Sequence, residues 1–156
     1  MTSDPENTLY IDLQKGRVTV ALRADLAPQH VKRIKELARE GFYNGTPFHR
    51  VIDGFMAQGG DPTGTGTGGS KKPNLKAEFS KENHARGTCS MARSSSPDSA
   101  NSQFFICLGD APWLNGQYSV WGQVTEGMEL IDALKRGEPV QNPDRIVKMQ
   151  VAADAG

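Results

Sequence analysis

Within the fourteen residues FHRVIDGFMAQGGD, Phe48 to Asp61, a single arginine stands among phenylalanine, methionine and glutamine side chains. An arginine stays charged and holds a rigid fork of donors, so among apolar neighbours it can stabilise charge or a lone pair that develops on something held beside it. If PFHRVI is a strand, Phe48, Arg50 and Ile52 share one face while His49 and Val51 share the other, which sets Arg50 in an apolar row. The plainer structural reading is an arginine whose stem covers hydrophobic surface and whose head pairs with a carboxylate, and the spacing alone favours it. Phe55, Met56, Phe104, Phe105 and Trp113 are likewise open to a core reading, and alternation sends about half of them inward in any case.

Other chemistry is poorly represented. Gly64 to Gly69, GTGTGG, has the spacing of a dinucleotide-binding loop, but such a loop works by opening a helix, and here SKKPN follows, with Pro73 in the way. No Gly-Lys-Ser/Thr follows it for a phosphate loop. His30, His49 and His84 show no metal-ligand spacing with one another or with Cys89 and Cys107, so no metal is expected. Ser94 to Ser96 lack a nucleophile-elbow context, and no acidic pair stands out as general acid and base. What remains is an apolar groove with a few polar groups.

The elements that must position such a groove follow from pattern. Leu9, Ile11 and Leu13, then Val18, Val20 and Leu22, alternate on either side of Gln14-Lys15-Gly16 and predict an antiparallel hairpin. Pro28 suits a first helical turn, Val31, Ile34, Leu37 and Ala38 form a helical stripe, and Gly41 supplies the stop, so a helix is predicted over about 28–40. From Thr46 to Val124 short strand-like runs alternate with Gly, Pro, Ser and Asn clusters. A second helix is predicted with Thr125 as N-cap, Met128, Ile131 and Leu134 as its buried stripe and Gly137 as its end, and DRIVKMQVA supplies a closing strand. Many short strands in one small domain predict a closed β-barrel with two helices packed on it.

Composition narrows the partners. A chain of 156 residues with 37% hydrophobic content suits one domain, here residues 8–156 behind a flexible tail over 1–7. Eighteen basic residues balance eighteen acidic ones, leaving no overall field to attract nucleic acid or a membrane surface. The N-terminus has no export signal and no apolar run reaches membrane-spanning length, so a cytoplasmic protein is expected. The Asn44-Gly45-Thr46 sequon then carries no meaning, and both cysteines read as buried free thiols. Absence of heptads makes a monomer the default.

FHRVIDGFMAQGGDPTGTGTGG, together with GTCSMAR, NSQFFICLGDAPWLNGQYSVWGQV and EGMELIDALKRG, resembles the cyclophilin family of peptidyl-prolyl cis/trans isomerases in a bacterial-type form, over nearly the whole chain and in order. The resemblance implies a mainly β fold, an eight-stranded antiparallel barrel closed by two helices, in agreement with the pattern. It implies Arg50 as the catalytic residue and Phe55, Met56, Phe105 and Leu114 as walls of a proline pocket, with Gln58 supporting Arg50 and the substrate backbone. Ala92 and Arg93 fall where the family pairs an extended peptide, Gln103 falls beside that groove, Trp113 and Tyr118 close the rim, and His49 has at most a supporting role. Proline-containing peptides and client proteins, folded or unfolded, are the implied partners, and no cofactor is implied. Trp113 also implies binding of cyclosporin A. Tyr118 stands where familiar eukaryotic members have histidine, Arg93 where they have asparagine, and SSSPDSAN is about one residue longer, so the residues favoured around the proline can differ. A groove that only binds peptides is the alternative reading, and the arginine argues against it, because binding needs the pocket but not the charge.

Overall fold

The computed structural model describes residues 5–66, 68–138 and 140–155. The first hairpin forms as patterned. Strand β1 (Thr8–Leu13) and β2 (Gly16–Leu22) pair with Leu9 opposite Val20 and Ile11 opposite Val18, so the apolar residues of both strands meet on one face. Helix α1 (Pro28–Arg39) carries Pro28 in its first turn and buries Val31, Ile34, Leu37 and Ala38. Its N-cap, Ala27, has no polar side chain to offer, and the Glu78 carboxylate accepts the amides of Gln29 and His30 instead, at 3.2 and 2.9 Å. Gly41, at φ 74°, ends the helix as predicted.

Six further strands complete the sheet: β3 (Arg50–Ile52), β4 (Met56–Gly59), β5 (Thr88–Met91), β6 (Phe104–Cys107), β7 (Val120–Glu126) and β8 (Ile146–Val151). They are hydrogen-bonded in the order β3-β4-β6-β5-β7-β2-β1-β8, all antiparallel. The predicted closure does not occur. The sheet curls through 223° and stays open, and among the described residues the chain leading into β3 meets the chain leading into β8 in the isolated pair Pro47–Arg145 rather than in a ladder.

Helix α2 (Met128–Asp132) is shorter than expected, and Thr125 does not cap it. Thr125 belongs to β7, and the turn into the helix is made by Gly127 at φ 85°, where a Cβ would come within 2.5 Å of the Arg17 carbonyl. The α-helix is over at Asp132, five residues before Gly137, and Leu134 reaches its buried place through a tighter turn, its amide donating to Ile131 O at 3.2 Å. The N-terminal segment departs from a free tail too. Residues 1–4 lie outside the described residues, but Pro5–Asn7 form a 3₁₀ turn, with Glu6 paired to Lys35 and Arg39. Arg39 also holds Asp154, in the 3₁₀ turn Ala152–Asp154 after β8, at 2.8 Å.

One face of the sheet encloses the main core, in which Phe104 meets Tyr43, Phe48 and Trp121 edge-on. The opposite face of β4 and β6 carries a smaller apolar cluster of Met56, Phe105, Cys107, Ala111 and Leu114. Every residue of β5 and β6 is therefore buried, which is why TCSM and FFIC read as continuous rather than alternating runs. Cys89 and Cys107 are free and buried, and burial pushes both thiols up, that of Cys107 to about 12.

Candidate functional site

The second cluster is the foundation of the site. Cross-strand pairing puts Arg50 opposite Gln58, Gln58 opposite Phe105 and Phe105 opposite Ser90, a row of four side chains across β3, β4, β6 and β5. The next row holds Ile52, Met56 and Cys107. Phe48 is not in the row with Arg50. The strand begins only at Arg50, and the irregular chain before it turns Phe48 into the core beside Val51. Instead of an apolar row, Arg50 has a glutamine beside it and a carboxylate beyond.

A pocket of about 140 Å³ opens over these rows, lined by Arg50, Phe55, Met56, Gln58, Ala92, Arg93, Phe105, Leu114 and Tyr118. Tyr118 meets Phe105 edge-on, with ring centres 5.4 Å apart. Leu114 enters from the 3₁₀ turn Pro112–Leu114, whose Trp113 points elsewhere: 65% exposed, it lies at the rim with its ring centre 5.8 Å from that of Phe55. Gln103 lies in an adjoining cleft of about 570 Å³ that shares Gln58, Ala92 and Arg93 with the pocket. His49 is buried and outside both linings. Burial and the neighbouring Arg50 charge hold its imidazole below the usual range, against the pull of Asp61.

Polar groups are oriented by a continuous chain of hydrogen bonds. Asp61 is fully buried, and its carboxylate accepts the Thr63 amide and hydroxyl at 2.8 and 2.7 Å on one oxygen, and the Gly66 and Gly68 amides at 2.7 and 3.0 Å on the other. Burial would raise this carboxyl, but the four bonds outweigh it and its pKa is held at about 2. A Cβ at residue 68 would come within 2.1 Å of the Asp61 carboxylate, so this segment needs glycine for space. The loop so fixed presents the Gly66 and Gly68 carbonyls to Gln103 Nε2, each at 3.0 Å. Gln103 Oε1 then accepts from Gln58 Nε2 at 2.9 Å, and Gln58 Oε1 accepts from Arg50 Nη1 at 3.3 Å. Because both Gln103 donors serve the loop, only one orientation of each amide satisfies the chain, and its acceptor end faces Arg50.

Two participants escaped the sequence reading. Glu138 accepts from Arg50 Nε at 2.9 Å; it is brought there by main-chain pairing of Gly137 with Val51 and of Val140 with His49, each bond 2.9 Å. His84 lies fully buried behind the pocket wall, stacked on Phe105 at 6.1 Å, its ring nitrogens bonded to Asn115 at 3.0 Å and Ser90 at 3.1 Å. The HARG spacing offered no signal for that, because stacking depends on β5 and β6 being neighbours.

The comparisons agree with this architecture. Residues 8–151 match the family described as cyclophilin type peptidyl-prolyl cis-trans isomerase/CLD. A probable peptidyl-prolyl cis-trans isomerase of Brucella suis biovar 1 (strain 1330) is 53% identical over 97% of this chain and 86% of its own length. A peptidyl-prolyl cis-trans isomerase of Helicobacter pylori (strain J99 / ATCC 700824) is 44% identical over 85% of this chain and 83% of its own. The crystal structure of a Hirschia baltica cyclophilin superposes with a TM-score of 0.91 at 29% identity, covering 99% of this chain and 77% of that one. A Cryptosporidium parvum cyclophilin type peptidyl-prolyl cis-trans isomerase, crystallised in the presence of the dipeptide Ala-Pro, superposes at 0.86 with 30% identity, over 92% of this chain and 98% of that one. With its curled eight-stranded antiparallel sheet, its two helices and these relatives, the chain belongs to the cyclophilin-type peptidyl-prolyl cis-trans isomerases.

Proposed function

We propose that the protein turns X-Pro bonds of peptides and client proteins by holding the prolyl ring in the pocket over Met56 and Phe105 while Arg50 stabilises the twisted amide. An X-Pro bond keeps a barrier of about 18–20 kcal/mol and isomerises unaided in tens to hundreds of seconds. Twisting breaks its conjugation and leaves a lone pair on the prolyl nitrogen. A guanidinium aimed at that lone pair bonds the twisted state better than the planar one, which is the differential binding that lowers a barrier. Removing roughly 7 kcal/mol accelerates the step about 10⁵-fold, within reach of preorganised donors and positioning.

The observation that carries the reading is the placement of Arg50. Its Nε and Nη1 are engaged by Glu138 and Gln58, it lines a pocket together with Phe55, Met56, Phe105 and Leu114, and the rest of its fork is left for a substrate. The test is NMR exchange between cis and trans signals of a short X-Pro peptide. Arg50→Ala is expected to slow catalysed exchange about 10²–10³-fold while peptide binding changes little. Binding by the wild type without accelerated exchange would make this a recognition module instead. The exposed Trp113 at the pocket rim supports binding of cyclosporin A; quenching or enhancement of its fluorescence, lost in Trp113→Ala, is the expected signature, and no response at high micromolar inhibitor would remove the claim.

A further inference from the structure

We infer that the groove selects peptides carrying an acidic side chain next to the proline, and that Arg93 reads it. The inference rests on the isomerase reading above. Arg93 directly follows Ala92 at the end of β5, and it lines both the proline-sized pocket and the larger cleft, so a peptide chain leaving one for the other passes its guanidinium. The side chain is held in place. Its Nε donates to Gln117 O at 2.9 Å and its Nη1 to Ser94 O at 3.0 Å, and its guanidinium carbon lies 4.7 Å from the centre of the Tyr118 ring and 5.6 Å from that of Phe79.

These partners orient the cation without discharging it, since carbonyls and ring faces are neutral. Two of the five N–H groups of a guanidinium are used, which leaves donors for a carboxylate. Among the described residues Arg93 joins no ion pair, whereas Arg50, the other charged residue in the two linings, is paired with Glu138. The other residues lining the larger cleft are Gln, Ser, Asn, Gly and Ala, none of them charged. The groove therefore carries one uncompensated positive charge, held where the pocket and the cleft adjoin. A half-exposed pair of this kind is worth roughly a two- to fivefold preference, and a lysine in the same place is disfavoured by a comparable factor, so the Glu-to-Lys ratio is about tenfold.

The experiment compares peptides identical except for Glu, Gln or Lys on one side of the proline, and a second set varied on the other side, by NMR exchange and by binding titration, at low and high salt. At one of the two positions the Glu peptide is expected to exceed the Lys peptide about tenfold in kcat/KM at low salt, with the ratio collapsing at high salt and in Arg93→Gln. A ratio near one at both positions, or one that survives either salt or Arg93→Gln, overturns the inference. Failure of the isomerase reading is separate: it shows as no accelerated exchange of the Gln peptide, and the charge preference is then judged by the same ratio in binding affinity.

Discussion

Arg50 satisfies two descriptions that are alternatives on paper. It pairs with a carboxylate, as surface arginines do, and it lines the pocket. The pair is more than half open to water on the Glu138 side, so it is worth at most about 1 kcal/mol. Glu138→Ala is accordingly expected to slow catalysed exchange about two- to fivefold, and Glu138→Gln, which keeps an accepting oxygen, to stay close to wild type. A faster Glu138→Ala would show that the carboxylate damps the guanidinium rather than aiming it. Arg50 drew notice in the sequence because Phe55, Met56 and Gln58 are close to it in the chain, whereas Phe105, Leu114 and Tyr118 are far from it and only the resemblance to the family joined them to it. Glu138 drew no notice, because 88 residues separate it from Arg50 and only the pairing of Gly137 and Val140 with β3 brings it there.

At the scale of elements, the glycine-rich segment illustrates how a loop acquires fixed geometry without regular structure. Its amides converge on Asp61 and its carbonyls on Gln103, so the loop transmits order from a buried anion to the row that holds Arg50. Asp61→Asn replaces one accepting oxygen by a donor and strands either the Gly66 and Gly68 amides together or the Thr63 amide. It is expected to destabilise the fold by about 2 kcal/mol at neutral pH, measured by chemical denaturation. The sign of the pH dependence follows from a carboxyl whose folded pKa, about 2, lies below its ordinary 3.8. The stabilisation is fully present above about pH 4 and is lost as pH falls toward 2, so wild type and variant should converge over that window. Equal stability of the two at pH 7 would mean the loop is held by other contacts. The glycine spacing showed that this segment approaches something closely, but not what, because Asp61 and its four donors form a local ring rather than a periodic pattern. The second helix was misread for a related reason: a spacing of three between Met128, Ile131 and Leu134 fits a short helix followed by a tighter turn as well as it fits a longer helix.

For the molecule as a whole, alternation revealed the first hairpin and short apolar runs marked the later strands, whereas the order in which strands pair and whether the sheet closes depend on long-range contacts and accumulated curl, to which no single residue testifies. The strand order also sets the pocket at one end of the sheet. β3, β4, β6 and β5 carry the pocket, while β2, β1 and β8 lie at the far end of the strand order. At that far end Leu9 lies opposite Val151, and Arg39 grips Glu6 on one side and Asp154 on the other. β8 and β1 are thus a hairpin lacking only its turn. A circular permutant that joins residue 155 to residue 5 through a few glycines and opens the chain between Gln14 and Lys15 should fold to the same sheet, judged by circular dichroism, and turn over the X-Pro peptide at near the parental rate. In such a permutant β1 leaves the ribosome last instead of first while the strands that carry the groove keep their order, so the sheet can take in its penultimate strand after the groove is already made.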